Sequence, residues 1–519
     1  ASSLCPYIVL SLSRLKTFSG LDNSIYMRIC SYSQEVKMKK YNFKTKPFDH
    51  QMKALRDSWD AKYYALFMEM GTGKSKVAID TMGALYTEGK INAALIISPK
   101  GVYDNWVQGE IPTHLSDDIK INMVRWQPSS AQWFQKQMKT LVYEKFDGLK
   151  IFVMNTEALS TPRGTQAAHT FLEANDENIV IVDESTTIKN RTANRTKNIL
   201  EMKGMSKYRR ILTGSPVTRS PMDLFSQCMF LSALALNFQS FYAFQNRYAV
   251  VQKRVMGPRS FNEVVGYRRL DELNDKLEAF SNRVLKEDCL DLPDKMYVRR
   301  LVPLSEEQKR SYTEMKRLAL TKLDNGELAT TQSVLTQIMR LQQICCGHIQ
   351  DDEGNTVNFT HGRLKELLDI CEEVQGKAII WATYTYDIQQ IANALRDRFG
   401  PDAVATYYGE TPQEERQEIV ERYQDLEDPL RFFVGQPRTG GYGITLTAAS
   451  TVIYYSNSYD LEIRLQSEDR AHRIGQTNKV TYVDIIAPET IDEKILQALR
   501  EKINLAQQVL GEDARTWLS

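Results

Sequence analysis

No apolar run in this sequence reaches the roughly 18 residues that a membrane-crossing helix requires, and a soluble chain is expected. An excess of charge of either sign is also lacking. The 66 Lys and Arg residues face 65 Asp and Glu, a formal net charge of +1. That excludes a global electrostatic pull toward nucleic acid or membrane, so any nucleic-acid site must come from local basic clustering. Cysteines are sparse, seven in 519 residues, and their spacing is unpaired. This excludes a disulfide scaffold and suits a reducing, cytoplasmic compartment. Low-complexity segments and short tandem repeats are missing as well. What remains is an ordinary globular composition, 42% hydrophobic and 25% charged, in a chain long enough for two or three domains with sizeable cores.

The first residues, ASSLCPYIVLSLSRLKTFSG, carry a short apolar patch with no basic start before it and no small-residue cleavage site after it, which argues against a signal peptide. MKKYNFKTKPFDHQ, from Met38, reads as a natural start. Residues 1–40 are expected to form an N-terminal arm, with 1–37 either non-native, disordered upstream sequence or a genuine short extension.

Short runs rich in β-branched residues then alternate with helical patterns: AALIISP (93–99), KIFVMN (150–155), NIVIVDE (178–184) and RRILTGS (209–215). Apolar on both faces, they predict buried parallel strands of a doubly wound α/β domain over 41–230. Residues 231–345 carry amphipathic, highly charged stretches such as LDELNDKLEAFSNRVLKED and predict helical insertions and a linker. The alternation returns with KAIIWAT (377–383), RFFVGQ (431–436), STVIYYS (450–456) and VTYVDIIA (480–487), a second lobe over 346–490. A C-terminal helical segment, 491–519, completes the expected order.

Chemistry enters at MEMGTGKS. Gly71, Thr72 and Gly73 form a turn of backbone amides that opens a helix, a geometry that cradles phosphate oxygens. Lys74 would reach the β- and γ-phosphates and the Ser75 hydroxyl would join a Mg²⁺ shell. The strict phosphate-loop pattern has a glycine where Met68 stands. About a hundred residues on, IVIVDEST ends an apolar strand in Asp183 and Glu184. Paired acids at the carboxyl end of a strand suit Mg²⁺ binding (Asp183) and polarisation of an attacking water (Glu184). A helix cap would explain a lone Asp-Glu, but following a phosphate loop the pair points to a nucleoside triphosphate site. In LQSEDRAHRIGQTNKV, Arg470 and Arg473 stand three residues apart and would share a face if helical. Guanidinium groups inserted across a cleft stabilise charge on a transferring phosphoryl.

Taken together, these elements resemble the Swi/Snf-related branch of superfamily 2 DNA-dependent ATPases. KPFDHQMKAL is similar to its Q motif, MEMGTGKS to motif I (where the early glycine is also absent), LIISPKGVYDNW to motif Ia and VMNTEAL to motif Ib. VDESTTIKN resembles motif II, RRILTGSPVTRSPMDLFSQ motif III, and LKEDCLDLPDK the linker into the second lobe. KAIIWATYTYDIQQI resembles motif IV, PRTGGYGITLTAASTVIYYS motif V, and QSEDRAHRIGQ motif VI. The likeness runs in family order from about 45 to 497. One departure is Thr186, where the family usually carries histidine.

The resemblance implies two RecA-like doubly wound parallel-sheet lobes with helical insertions between them. It implies ATP with Mg²⁺, adenine recognition by Gln51, Gly443 and Gln466 at the cleft, and catalysis by Lys74, Asp183, Glu184, Arg470 and Arg473. Contacts to duplex DNA, mainly phosphate and independent of sequence, are expected from Ser98, Lys100, Asn105, Trp106, Asn155, Thr156, Thr383, Arg438, Thr439 and Thr445. The implied activity is ATP-driven translocation along double-stranded DNA that remodels or displaces bound proteins or branched DNA without strand separation. A strand-separating DNA or RNA helicase is the alternative enzyme reading, and an ATP-gated DNA clamp with weak turnover, which Thr186 favours, is the non-motor one. No accessory reader domain fits, so a compact bacterial or phage motor is expected, with a protein partner or a displaced DNA-bound protein. Cys345, Cys346 and His348 lack the CxxC spacing of a zinc site, and His472 reads as a packing or hydrogen-bonding residue. The pairs Tyr63-Tyr64, Tyr407-Tyr408 and Tyr454-Tyr455 adjoin strands and read as core or cleft wall.

Overall fold

Each of the eight apolar runs singled out above is a strand in the computed structural model. It describes residues 41–510 except 130, 257–258, 325–330, 351–354 and 441–442; the expected arm, 1–40, and residues 511–519 lie outside it. The first sheet contains β1 (Tyr63–Met68), β2 (Ala93–Ser98), β3 (Ile121–Arg125), β4 (Leu149–Asn155), β5 (Asn178–Asp183), β6 (Tyr208–Leu212) and β9 (Ser281–Val284). Their order is β3-β4-β2-β5-β6-β1-β9, with every pairing parallel. Because side chains alternate along a strand, Leu66, Ile96 and Ile181 enter one core, while Phe67, Leu95 and Val180 enter another on the opposite face. Each such side chain contributes about 1.5–3 kcal/mol by leaving water. Helix α1 (Asp49–Ser58) precedes β1, and α2 (Lys74–Thr87) follows it directly.

The segment 231–345 supplies helices, including α3 (Phe241–Tyr248) and α4 (Leu270–Glu278), but it also carries four strands that its charged composition concealed. Between those helices β7 (Ala249–Met256) and β8 (Arg259–Tyr267) form an antiparallel hairpin. Gln252, Lys253 and Arg254 are exposed on it, so it lacks the apolar signature of a buried strand. Strand β9 pairs with β1 at the edge of the first sheet and leads into the short helix α5 (Lys286–Cys289). β10 (Lys295–Leu301) pairs with an edge of the second sheet, where Met296, Tyr297 and Leu301 remain exposed. The chain therefore crosses between lobes at residues 285–294.

The second sheet holds β10, β13 (Lys377–Trp381), β14 (Val404–Tyr407), β15 (Phe432–Gly435), β16 (Ala449–Tyr454) and β17 (Val480–Ile486). The order is β10-β17-β16-β13-β15-β14, again all parallel. Ile380 and Val434 enter one core, Ile379 and Phe433 the other. A separate two-stranded ladder joins β11 (His348–Gln350) to β12 (Thr356–Asn358). Helix α6 (Leu461–Glu468) follows β16, and α7 (Ile491–Leu510) links the lobes. Ile495, Leu496 and Leu499 of α7 cluster with Leu461 and Ile486 of the second lobe. Val509, farther along the same helix, joins Leu273 and Leu277 in the first lobe's core.

The N-terminal described residue is fixed against α2. Tyr41 is buried and its hydroxyl donates to Asp80 at 3.1 Å, while Lys76 pairs with the same carboxylate at 2.8 Å. A Cβ at Gly83 would lie 2.3 Å from the Tyr41 ring. Gly83→Ala is expected to destabilise the lobe by about 1–3 kcal/mol in urea unfolding. Combining it with Tyr41→Leu should cost less than the two single changes added together, since they share one contact.

Candidate active site

The end of β1 sets the phosphate loop. Met68 is the last residue of that strand and fully buried, so the position that lacks glycine belongs to the sheet core, and the turn begins at Glu69. Gly71 and Gly73 have φ of +82° and +90°, the left-handed region in which a side chain is disfavoured. The Glu69 carbonyl closes the turn, accepting from the Thr72 hydroxyl at 2.7 Å and from Lys74 Nζ at 3.4 Å. Gln51, buried beside it, donates to the Thr72 carbonyl at 3.1 Å and accepts from the Phe48 amide at 3.0 Å. A Cβ at Gly73 would stand 2.1 Å from Gln51 Nε2. Gln51 thus braces the loop that opens α2, where Lys74 and Ser75 are the first two residues.

Asp183 ends β5 in the same sheet, at the carboxyl edge that α/β folds use for ligands. Glu184 follows with φ +46°, uncommon for a residue with a side chain. Asp183 Oδ2 accepts from Trp106 Nε1 at 2.8 Å, and its Oδ1 accepts from the Glu184 amide at 3.0 Å. The Thr213 hydroxyl, in the loop after β6, donates to Glu184 at 3.4 Å. Burial raises the pKa of both acids, while Lys74 beside them acts the other way. Glu184 is pushed up to about 7, first by burial and then by Asp183 and Glu462. The Ser75 hydroxyl and Asp183 carboxylate are hard oxygen donors, and a buried acid pair favours further positive charge, so these residues fit Mg²⁺.

The second lobe closes this cleft. Arg470 and Arg473 lie not on a helix but in the turn that follows α6. Arg470 is buried, bonded to the carbonyls of Gln466 at 2.9 Å and Ile444 at 3.0 Å, and its Nη2 lies 3.8 Å from Met70 Sδ in the phosphate loop. Arg473 donates to Thr445 at 3.3 Å, and its Cγ lies 3.8 Å from where a Cβ on Gly71 would stand. Gly443, at φ +76°, comes so near the first lobe that a Cβ there would meet the Gly101 carbonyl at 3.0 Å. Gln466 Oε1 is buried without a partner. His472 shares a hydrogen bond of 2.7 Å with the Pro293 carbonyl and is held below its ordinary pKa, chiefly by burial.

Thr186 finds its partner across the cleft. Its hydroxyl donates to Glu462 Oε1 on α6 at 2.7 Å, while Lys189 holds the other oxygen at 3.0 Å and reaches Thr218 at 2.7 Å. Glu462, Thr213 and the Trp106–Asp183 bond were not singled out in the sequence. Tertiary pairing alone brings them together, and no local pattern marks them.

The expected DNA contacts divide by exposure. Lys100, Asn105 and Arg438 are exposed. Asn155, bonded to Glu157, and Ser98 face each other in the β2–β4 register, so motifs Ia and Ib share one edge. Thr383 and Thr439 are half-buried, with hydroxyls directed to Ser456 and Gln436. Ser98, Thr156 and Trp106 are buried; the Trp106 indole donates to Asp183, and the Thr445 hydroxyl accepts from Arg473. Cys345 and Cys346 are buried, and His348 pairs with Asp387 at 3.1 Å.

An acid whose pKa is raised by folding contributes stability below its unfolded value and loses it as pH rises through the folded one. For Glu184 that window runs from about 4.5 to about 7. Glu184→Gln should therefore unfold at higher denaturant than wild type at pH 8, by on the order of 1–3 kcal/mol, with the gain shrinking as pH falls toward 5.

The family description SNF2-related domain matches residues 56–349, and helicase conserved C-terminal domain matches 362–475. The chain is 26% identical over 454 residues to an uncharacterized ATP-dependent helicase, MG018, of Mycoplasma genitalium, covering 87% of this chain and 40% of that protein. It is 25% identical over 468 residues to the putative ATP-dependent helicase/translocase YwqA of Bacillus subtilis, covering 87% and 46%. The chain thus spans less than half the length of these relatives. A solved structure, the Sulfolobus solfataricus SWI2/SNF2 ATPase core in complex with dsDNA, is 23% identical, covers 93% of this chain and 97% of that one, and aligns with a TM-score of 0.41. With more than half of its residues matched by the SNF2-related domain, the chain belongs to the Swi/Snf-related family of superfamily 2 ATP-dependent enzymes.

Proposed function

We propose that the chain is a DNA-dependent ATPase that moves along double-stranded DNA and remodels or displaces bound proteins or branched DNA. The observation that carries this reading is the single cleft built from both lobes, with Arg470 at Met70 and Arg473 at Gly71. The amides of residues 71–73 and Lys74 would hold the ATP phosphates. Ser75 and Asp183 would hold Mg²⁺, which when bound supplies charge compensation on the β- and γ-phosphate oxygens. Glu184 orients and polarises the attacking water, and Arg470 and Arg473 meet the charge that develops on the transferring phosphoryl. Nucleotide binding favours lobe closure because its ligands lie on both sides, and hydrolysis relaxes it. Lobes gripping phosphates at different points would then step along the duplex. Exposed Lys100, Asn105 and Arg438 are suited to such contacts.

One observation favours a second reading. The β7–β8 hairpin presents Gln252, Lys253 and Arg254 to solvent, and an exposed basic hairpin is a suitable wedge for a strand-separating helicase. Thr186, the residue that favours the clamp reading, donates to Glu462 across the cleft.

Steady-state ATP hydrolysis should be stimulated most by blunt duplex DNA, less by single-stranded DNA or RNA, and lost in Lys74→Ala and Glu184→Gln. Stimulation chiefly by single strands, with unwinding of a forked duplex, would move the assignment to a helicase. A flat rate despite salt-sensitive duplex binding would leave the clamp. Thr186→Val, which removes one cross-lobe hydrogen bond of about 1–1.5 kcal/mol, is expected to lower kcat roughly 5–10-fold with little change in KM for ATP. Thr186→Ser should retain most of the rate.

A further inference from the structure

Four hydrogen bonds at the junction after β9 have no role in the scheme above. β9 and β1 end in register, Met68 opposite Val284, so the phosphate loop and the segment Leu285-Lys286 leave the sheet side by side. The Glu69 amide donates to the Val284 carbonyl at 2.9 Å, and the Lys286 amide donates to Glu69 Oε2 at 2.7 Å. Lys286 is thereby tied to the loop that cradles the phosphates. Its side chain then crosses to the second lobe. The ammonium, nearly buried, donates to Asp469 Oδ1 at 2.6 Å and to the His472 carbonyl at 2.8 Å. Those acceptors flank Arg470 and Arg473. The Lys286 Cε and Arg473 Cγ both lie 3.8 Å from where a Cβ on Gly71 would stand.

We propose that Lys286 is a positioning residue for the two arginines: one ammonium, fixed in the first lobe, holds both shoulders of the turn 469–473 and sets Arg470 and Arg473 against the phosphate loop. An isolated ammonium would be expensive at this burial, which suits a group whose partners arrive with the other lobe. Burial lowers the pKa of Lys286, and the charge of Asp469 opposes that shift. Burial alone would raise the Asp469 carboxyl, but Lys286 and then Lys295 more than offset it. Glu69 on the loop side, Lys295 at the start of β10 and Arg470 are the other charges facing the pair. Lys295 is itself engaged by Glu468 at 3.4 Å. A structural salt bridge would matter only to stability, and a direct phosphate ligand would matter to ATP affinity. A positioning residue matters to turnover through its partner.

The inference rests on the ATPase reading for its kinetic arm only. Lys286→Met, Lys286→Arg, Asp469→Asn and the double variant Lys286→Met/Asp469→Asn are compared for kcat, KM and fluorescent-ATP affinity. Inter-lobe distance in nucleotide-free protein is read from fluorophores placed at the exposed positions 136 and 414. Lys286→Met and Asp469→Asn should each lower kcat at least 10-fold, with KM and ATP affinity within 3-fold of wild type. The double variant should be no slower than either single one, Lys286→Arg should recover part of the rate, and both single variants should lengthen the inter-lobe distance. Unchanged kcat with only a lower melting temperature would overturn the proposal, as would additive losses. Weakened ATP affinity in Lys286→Met but not in Asp469→Asn would reassign Lys286 as a phosphate ligand. If wild type hydrolyses no ATP, the ATPase reading fails, and an unaltered inter-lobe distance in both single variants would still refute the positioning role.

Discussion

Asp183 and Glu184 leave water at the end of β5, and a buried carboxylate pair is tolerated only where opposite charge and hydrogen bonds compensate it. Lys74 supplies positive charge from the same lobe and Arg470 from the other. Trp106 and Thr213 supply hydrogen bonds from neighbouring loops. That requirement ties together distant parts of the chain. Neither lobe alone provides both countercharges, so the acid pair is compensated in full only where the two lobes meet.

The remaining cross-lobe contacts follow the same logic of shared charge. Glu462 on α6 meets Thr186 and Lys189 just beyond Asp183 and Glu184, and Asp469 meets Lys286 beside the loop that opens α2. Both acceptors lie in the segment 462–473, which also carries Gln466 and the arginines. A change in lobe separation must therefore be felt at Asp183 and Glu184, and a change in charge at the 69–75 loop must be felt by the lobes. Helix α7 adds an apolar link, burying Leu499 against the second lobe and Val509 in the first.

Much of the fold was legible because parallel strands buried on both faces write continuous apolar runs. NIVIVD and KAIIW are of this kind. The strands that escaped sit at edges or outside the sheets. SNRV of β9 has three polar, half-buried residues before its buried valine, KMYVRRL of β10 is largely exposed, and the β7–β8 hairpin exposes Gln252, Lys253 and Arg254. The phosphate loop and the acid pair could be read because their chemistry is local. The geometry of Arg470 and Arg473 was less legible: a spacing of three suggested a helix face, but the helix ends at Glu468 and backbone carbonyls fix the turn. The bond from Trp106 to Asp183 could not be read because nothing local to the indole reveals an acid 77 positions away. Glu462 and Lys286 likewise look like ordinary solvated charges until the lobes meet.

The most direct measurement of the shared site is trapping of ADP with aluminium fluoride, a mimic of the transferring phosphoryl, in wild type and Arg473→Ala, alongside equilibrium ATP binding. If the second lobe supplies transition-state charge to the first, the variant should bind ATP within about 3-fold of wild type yet trap the analogue at least about 100-fold more weakly. Equal trapping by the two proteins would contradict a catalytic centre assembled from both lobes.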